Sequence, residues 1–289
     1  MEPVALYRTG ARPACEDRAF VLHAVGIESE ITWDGDAWVL WTRAADESAA
    51  RAQLQRYERE NPPRRLHAVV EPVHAGAWLG SAGYAVVILL VAYLAGHRAF
   101  AADWLSAGGL DTRAFRGGEL WRAVTAVTLH FDVAHLLGNL GFGMFFGWLA
   151  GQLLGPGVAW SGALAAAVAA NLLNASVQPA SHFSAGASTA VFALLGLLSA
   201  YAWRRRASAG DRWAYRWAPL IAGVFLLAFT GVGGESTDVL AHLTGFVMGA
   251  LTGWLLAQRR SSAGTLAQWV SGLGALAVIG AAWWLALAA

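Results

Sequence analysis

AVTAVTLHFDVAHLLGNLGFGMFFGWLAGQLLGPGVAWSGALAAAVAANLLNASVQPASHFSAGASTAVFALLGLLSAYAW, residues 123–203, carries one charged side chain, Asp132, between Arg122 and Arg204. A soluble domain holds about a quarter charged residues, so a stretch this long and this apolar is not a globular core. Crossing the hydrocarbon takes about 20 helical residues, and the stretch has room for several crossings. Working outward, apolar runs at 77–96, 133–153, 157–177, 186–203, 217–233, 238–257 and 265–287 predict seven spans. The chain of 289 residues is 57% hydrophobic and 13% charged, which places it among polytopic α-helical membrane proteins. Its formal net charge of +1 gives no sign of a nucleic-acid or acidic partner. The single cysteine, Cys15, rules out an internal disulfide framework. Residues 1–13 show no apolar h-region, so no cleavable signal peptide is expected.

The first 70 residues read differently. Glu30–Trp33 and Ala37–Trp41 flank Asp34-Gly35-Asp36, the pattern of a β-hairpin with a tight turn. Ala45–Glu60 follows at helical spacing and stops before Pro62-Pro63. The expectation is a small α+β soluble domain over 1–70, a membrane core over 71–257, and one added helix over 258–289. Arginine placement sets the orientation. Arg64-Arg65, Arg204–Arg206 with Arg212 and Arg216, and Arg259-Arg260 fall on one side of a seven-span chain, which predicts a cytoplasmic N-terminus. Arg98, Arg113, Arg116 and Arg122 run against that pattern.

Polar groups at membrane depth are costly, so each is a functional candidate. Ser188 sits in Gly186-Ala187-Ser188-Thr189 at the head of an apolar helix. Gly186 permits a tight turn there, and the helix start offers free N–H donors beside the hydroxyl. The plainer reading is that Ser184 or Ser188 caps the helix. His242 is a candidate base, because a serine hydroxyl needs an acceptor for its proton. It could equally hydrogen-bond a neighbouring helix. Asp238, one turn earlier, could orient the ring from the same face or only cap the helix start, the favoured reading, so a Ser–His dyad is expected in place of a triad. His135 and Asn139, four apart, share one helix face. They are either donors to a developing oxyanion or an interhelical pair. Gly245, Gly249 and Gly253 leave one face of the sixth span bare for close packing.

The ordered set His130-Phe131-x3-His135-x3-Asn139, Gly186-x-Ser188 and Ala241-His242-Leu243-x-Gly245-x3-Gly249 resembles the rhomboid intramembrane serine proteases, bacterial type. Trp121-Arg122 looks like the family's Trp-Arg element, and the similarity covers about 77–257. The resemblance implies a six-helix core plus, here, a seventh helix, with a small N-terminal α+β cytoplasmic domain. It implies a Ser188–His242 dyad without a third member. It implies an oxyanion hole from His135, Asn139 and the Ser188 backbone N–H. Trp121, Arg122, Gly245 and Gly249 fall on structural positions of the pattern. It further implies single-pass transmembrane substrates entering near 217–233, and a cavity open to the periplasmic side of a bacterial inner membrane. Two departures mark the site. Thr189 stands where the family often has Gly, and Phe192 where many members have Tyr, so Gly186, Thr189 and Phe192 are expected to shape the cavity. No cofactor or metal is expected, since His-Glu-x-x-His is absent. The lipid bilayer is the expected environment, and no nucleic acid is expected to bind. The alternative of another class is a rhomboid-like protein that binds membrane clients without cutting them. A transporter is disfavoured because no internal repeat appears. Asn174-Ala175-Ser176 fits a glycosylation sequon but lies in a span, where it is discounted.

Overall fold

The computed structural model describes residues 3–61, 73–208, 213–230, 238–258 and 263–289. The expected arginines at 64, 65, 212, 259 and 260, and the end of the fifth predicted span, lie outside them. The chain forms two compact units, Met1–Ala68 and Val69–Ala289.

The first unit runs β1 (Pro3–Thr9), α1 (Arg12–Ala24), β2 (Ser29–Trp33), β3 (Trp38–Arg43) and α2 (Glu47–Glu60). The sheet order is β1-β3-β2, with both neighbours antiparallel to β3. The expected hairpin forms because Asp34 Oδ1 accepts the N–H groups of Asp36 and Ala37 at 3.0 and 2.9 Å. Cys15, Leu22, Leu40, Ala50 and Leu54 make its core. Sequence reading does not foresee β1 and α1. The register of β1 shifts between Ala5 and Tyr7, which breaks the alternation that marks a strand. The helix α1 is strongly charged and carries Pro13 in its first turn.

The second unit begins with α3 (Ala77–Gly96). Short pieces follow: α4 (Trp104–Gly108), β4 (Leu110–Asp111), α5 (Thr112–Arg116) and α6 (Arg122–Thr125). Then come α7 (Val133–Leu154), α8 (Pro156–Val177), β5 (Phe183–Ser184), α9 (Ser188–Ser208), α10 (Trp213–Thr230), α11 (Val239–Leu256) and α12 (Thr265–Ala288). The seven long helices match the seven predicted runs to within a few residues. Among the described residues α3, α7, α8, α11 and α12 are long and apolar enough to cross a membrane. By contrast α9 ends in Arg204–Arg206, and α10 carries Pro219 and only a shorter apolar stretch, Trp213–Phe229. Buried on nearly all sides, α9 is the central helix. The outer helices turn large apolar side chains outward, among them Leu89, Leu90, Phe145, Trp148, Leu273 and Val278. That surface suits lipid and would be a liability in water.

Glycines set the closest helix pair. On α11, a Cβ at Gly245 would lie 2.6 Å from the Thr189 carbonyl oxygen. One at Gly249 would meet the backbone of Ala193, and one at Gly253 that of Leu197. From α9, Gly196 returns the contact against the Phe246 carbonyl. Backbone therefore lies on backbone along successive turns, as small-xxx-small faces allow. This brings the N-terminal ends of α9 and α11 side by side.

Candidate active site

Ser188 is the first residue of α9, and His242 lies one turn into α11, three residues before Gly245. Because Gly245 lets α11 close onto Thr189, the helix pairing that buries apolar surface also brings the hydroxyl and imidazole to one cavity. That cavity measures about 590 Å³ and is lined by Ser188, His242, His135, Asn139, Thr189 and Phe192, among others. His242 is 8% exposed, and its ring stacks at a tilt on Phe192 with centroids 4.4 Å apart. Phe192 thus holds the imidazole face, a contact that needs a ring and no hydroxyl.

Gly186 has φ +156°, and a Cβ there would come 2.7 and 2.9 Å from Cε1 and Nε2 of His135, and 3.4 Å from Ser188 Oγ. Only glycine admits the His135 ring to the side of the loop that carries the serine. His135 is oriented from α7, whose first turn is capped by Asp132 through the His135 N–H at 2.8 Å. Asn139 is one turn on, 7% exposed, and its Nδ2 has no partner among the described residues. A buried amide without a partner is uncommon in native structures. Its backbone carbonyl accepts the Tyr84 hydroxyl of α3 at 2.9 Å.

The loop before Ser188 is pinned twice. In the small sheet, β5 pairs with β4, Phe183 opposite Asp111 and Ser184 opposite Leu110. The Gly186 N–H also donates to the Ala126 carbonyl at 2.9 Å. Arg122, 8% exposed, supports the β4 side. Its Nη1 donates to the carbonyls of Ser106 and Gly109 at 2.8 and 2.7 Å, and its Nε to Glu119 at 2.7 Å. The Trp121 ring packs in the cluster that holds Trp104 and Leu129.

Asp238 caps α11 through the Ala241 N–H at 2.9 Å, as its place in the sequence suggests. Its other oxygen accepts from Asn174 of α8 at 3.0 Å and lies 2.9 Å from Nε2 of His182. Sequence reading does not single out His182, six residues before Ser188 in an irregular Ser-, Ala- and Pro-containing turn. No periodicity marks it. Asn171 also lines the cavity and donates to the Ala123 carbonyl at 2.9 Å. Among the described residues no cluster of three or more His, Cys, Asp or Glu side chains is arranged to hold a metal ion.

A helical bundle with a lipid-suited exterior and a polar, hydroxyl- and imidazole-lined cavity defines a class: an integral membrane protein with an internal polar site. Residues 117–259 match the family model described as the Rhomboid domain, and the chain belongs to the rhomboid family. It is 32% identical over 149 residues to Rhomboid-like protease 2 of Toxoplasma gondii, covering 48% of this chain and 49% of that protein. It is 31% identical over 142 residues to Rhomboid-like protease 1 of the same organism, covering 48% and 47%. It is 30% identical over 156 residues to Rhomboid-like protein 11, chloroplastic, of Arabidopsis thaliana, covering 48% and 53%. The chain spans about half the length of the curated relatives it matches.

Proposed function

We propose that this chain is an intramembrane serine endopeptidase that hydrolyses peptide bonds in or near transmembrane helices, with Ser188 as nucleophile and His242 as base. The observation that carries the reading is the convergence of Ser188, His242, His135 and Asn139 on one cavity within a lipid-suited bundle. The serine hydroxyl attacks the scissile carbonyl as His242 takes its proton. The oxyanion meets the side chains of His135 and Asn139 and the backbone N–H of Ser188. The Asn139 amide, without a partner among the described residues, supports the reading of a donor kept for that purpose. His242 then gives the proton to the leaving amine as the scissile C–N bond breaks; a water deprotonated by His242 attacks the acyl carbon, and Ser188 Oγ leaves and takes that proton back from His242. The cavity is polar and roomy enough to hold that water. A helical substrate hides its carbonyls in hydrogen bonds, so segments weakened by Gly or Pro are the preferred class.

In this reading the domains are a soluble unit over 1–70, the protease core over 71–257 and an added helix over 258–289. Gly186, Thr189 and Phe192 shape the cavity, while Trp121, Arg122, Gly245 and Gly249 hold it together. Substrates are single-pass membrane proteins entering near 217–233. The soluble unit is cytoplasmic, and the cavity opens to the periplasmic side of a bacterial inner membrane. Support for the orientation is the arginine belt where α9 meets α10. There Arg204 lies over Trp254 at 4.6 Å, Arg216 lies over Trp203 at 5.2 Å, and Arg206 donates to the Tyr215 carbonyl at 2.8 Å.

The test is cleavage of a panel of fluorescent transmembrane substrates by the full chain in liposomes, with labelling by a serine-reactive fluorophosphonate. Ser188→Ala and His242→Ala are expected to lose at least about a thousandfold in kcat/KM, and Ser188→Ala to lose labelling. Equal cleavage by Ser188→Ala refutes the assignment. A parent that binds transmembrane peptides yet neither cleaves nor labels is a non-catalytic client-binding protein instead.

A further inference from the structure

The helix α12 lies beyond the matched segment 117–259 and lines none of the polar cavity. Its Trp283 is nevertheless buried, and the indole N–H donates to Thr128 Oγ1 at 3.0 Å. The Thr128 hydroxyl in turn donates to the Thr125 carbonyl at 2.7 Å. The Thr125 hydroxyl donates to the Gly108 carbonyl at 2.6 Å. Between these two threonines sits Ala126, whose carbonyl accepts the Gly186 N–H two residues before Ser188. Apolar packing follows the same path. Trp283 and Ala286 share one core cluster with Leu129, which precedes His130, and with Ala185, three residues before Ser188. The indole also lies against Gly108, where a Cβ would come 2.5 Å from Cη2.

We propose that Trp283 is a positioning residue for the active site. By donating to Thr128 and packing under Leu129 and Ala185, it holds residues 125–129 as the seat of the Ser188 loop. The physical reason is the lack of a substitute. Trp283 and Thr128 are 6% and 2% exposed, so bulk water does not replace the indole donor, and segment 125–129 is neither a long helix nor a strand, so side chains must hold its shape. The added seventh helix is thus a structural part of the catalytic geometry, linked to the nucleophile through two hydrogen-bonded threonines and one backbone bond. This rests on the endopeptidase reading for its effect on rate, and on geometry alone for its effect on the loop.

The experiment compares the full chain with Trp283→Phe, Thr128→Val, Thr128→Ser and the lipid-facing control Trp284→Phe, which alters a side chain 71% exposed. Three quantities are measured: kcat and KM on a fluorescent transmembrane substrate, the fluorophosphonate labelling rate, and amide hydrogen exchange of the 184–188 peptide. Trp283→Phe and Thr128→Val are expected to lower kcat and labelling by about tenfold at unchanged KM, as a small misplacement of reacting groups does. Exchange of 184–188 speeds up in both, while Thr128→Ser, which keeps the hydroxyl, and Trp284→Phe behave as the parent. Rates and exchange within twofold of the parent in Trp283→Phe overturn the proposal. If Trp283→Phe does not fold, the Thr128→Val and Thr128→Ser pair decides in the same way. If the parent neither cleaves nor labels, the endopeptidase reading has failed. The exchange of 184–188 then decides the positioning role by itself.

Discussion

Nε2 of His182 lies 2.9 Å from Oδ2 of Asp238, so the segment leading into Ser188 is tied to the residue that caps the helix of His242. The same oxygen holds Asn174 of α8 at 3.0 Å. One carboxylate therefore joins the loop that leads into Ser188, the helix of His242 and a third helix. Asp238→Ala removes all three partners' acceptor at once. The expected loss is about 2 kcal/mol of stability, a missing cap plus buried donors left unpaired, with about a tenfold drop in kcat. Asp238→Asn keeps an oxygen for the cap and falls between. Thermal unfolding and cleavage kinetics check both, and Asp238→Ala with His182→Ala should be less than additive.

The α9–α11 contact predicts a steep cost for any side chain on the glycine face. Gly249→Ala sets a methyl against the backbone of Ala193, which has no flexible end to move aside. It is expected to destabilise the bundle by about 2 kcal/mol or more through overpacking and to lower activity by parting Ser188 from His242. Gly280→Ala on α12, with nothing within 4 Å of its new Cβ, is the matched control and should stay within about 0.5 kcal/mol of the parent. Unfolding in detergent, read by circular dichroism, separates them.

Arg122 predicts that Arg and Lys are not interchangeable here. Its guanidinium reaches two carbonyls and Glu119 together, a fork that one ammonium cannot reproduce. Arg122→Lys should cost about 2 kcal/mol by leaving buried carbonyls unpaired. Glu119→Gln, on the partly exposed side of the pair, should cost less than about 1 kcal/mol. Thermal unfolding of the two variants tests the order.

His130 sets a pH dependence. Burial, aided by the neighbouring His135 and opposed by Asp132, pushes its imidazole down to about 4 from the ordinary 6.5. Neither ring nitrogen has a hydrogen-bond partner among the described residues. The fold therefore prefers the neutral ring. Between pH 6.5 and about 4 the unfolded chain binds the proton that the folded one refuses, so stability falls as pH falls through that window. The full contribution is about 3 kcal/mol, absent above the window and complete below it. Tm measured from pH 7 to 4 should drop in the parent, and His130→Asn should flatten that part of the curve. A variant with the parent's slope would falsify this assignment.

Membrane embedding and the positions of the seven long helices were legible in the sequence because length and hydropathy are local properties, and the hydrocarbon admits few solutions; five of the seven are long and apolar enough to cross a membrane among the described residues. The hairpin at Asp34-Gly35 was legible because turn chemistry is local too. The order of the polar motifs pointed to one family. The face shared by His135 and Asn139 followed from helical periodicity, as did the glycine stripe on α11. Other features came only with the tertiary structure. A methyl excluded from Gly245 by Thr189, the ring of His135 against Gly186, His182 on Asp238, and Trp283 on Thr128 all join residues far apart in the chain. Such contacts are set by how closely whole helices approach and by which loop segment their ends enclose. No window of sequence carries that information, because close approach is a property of two surfaces at once.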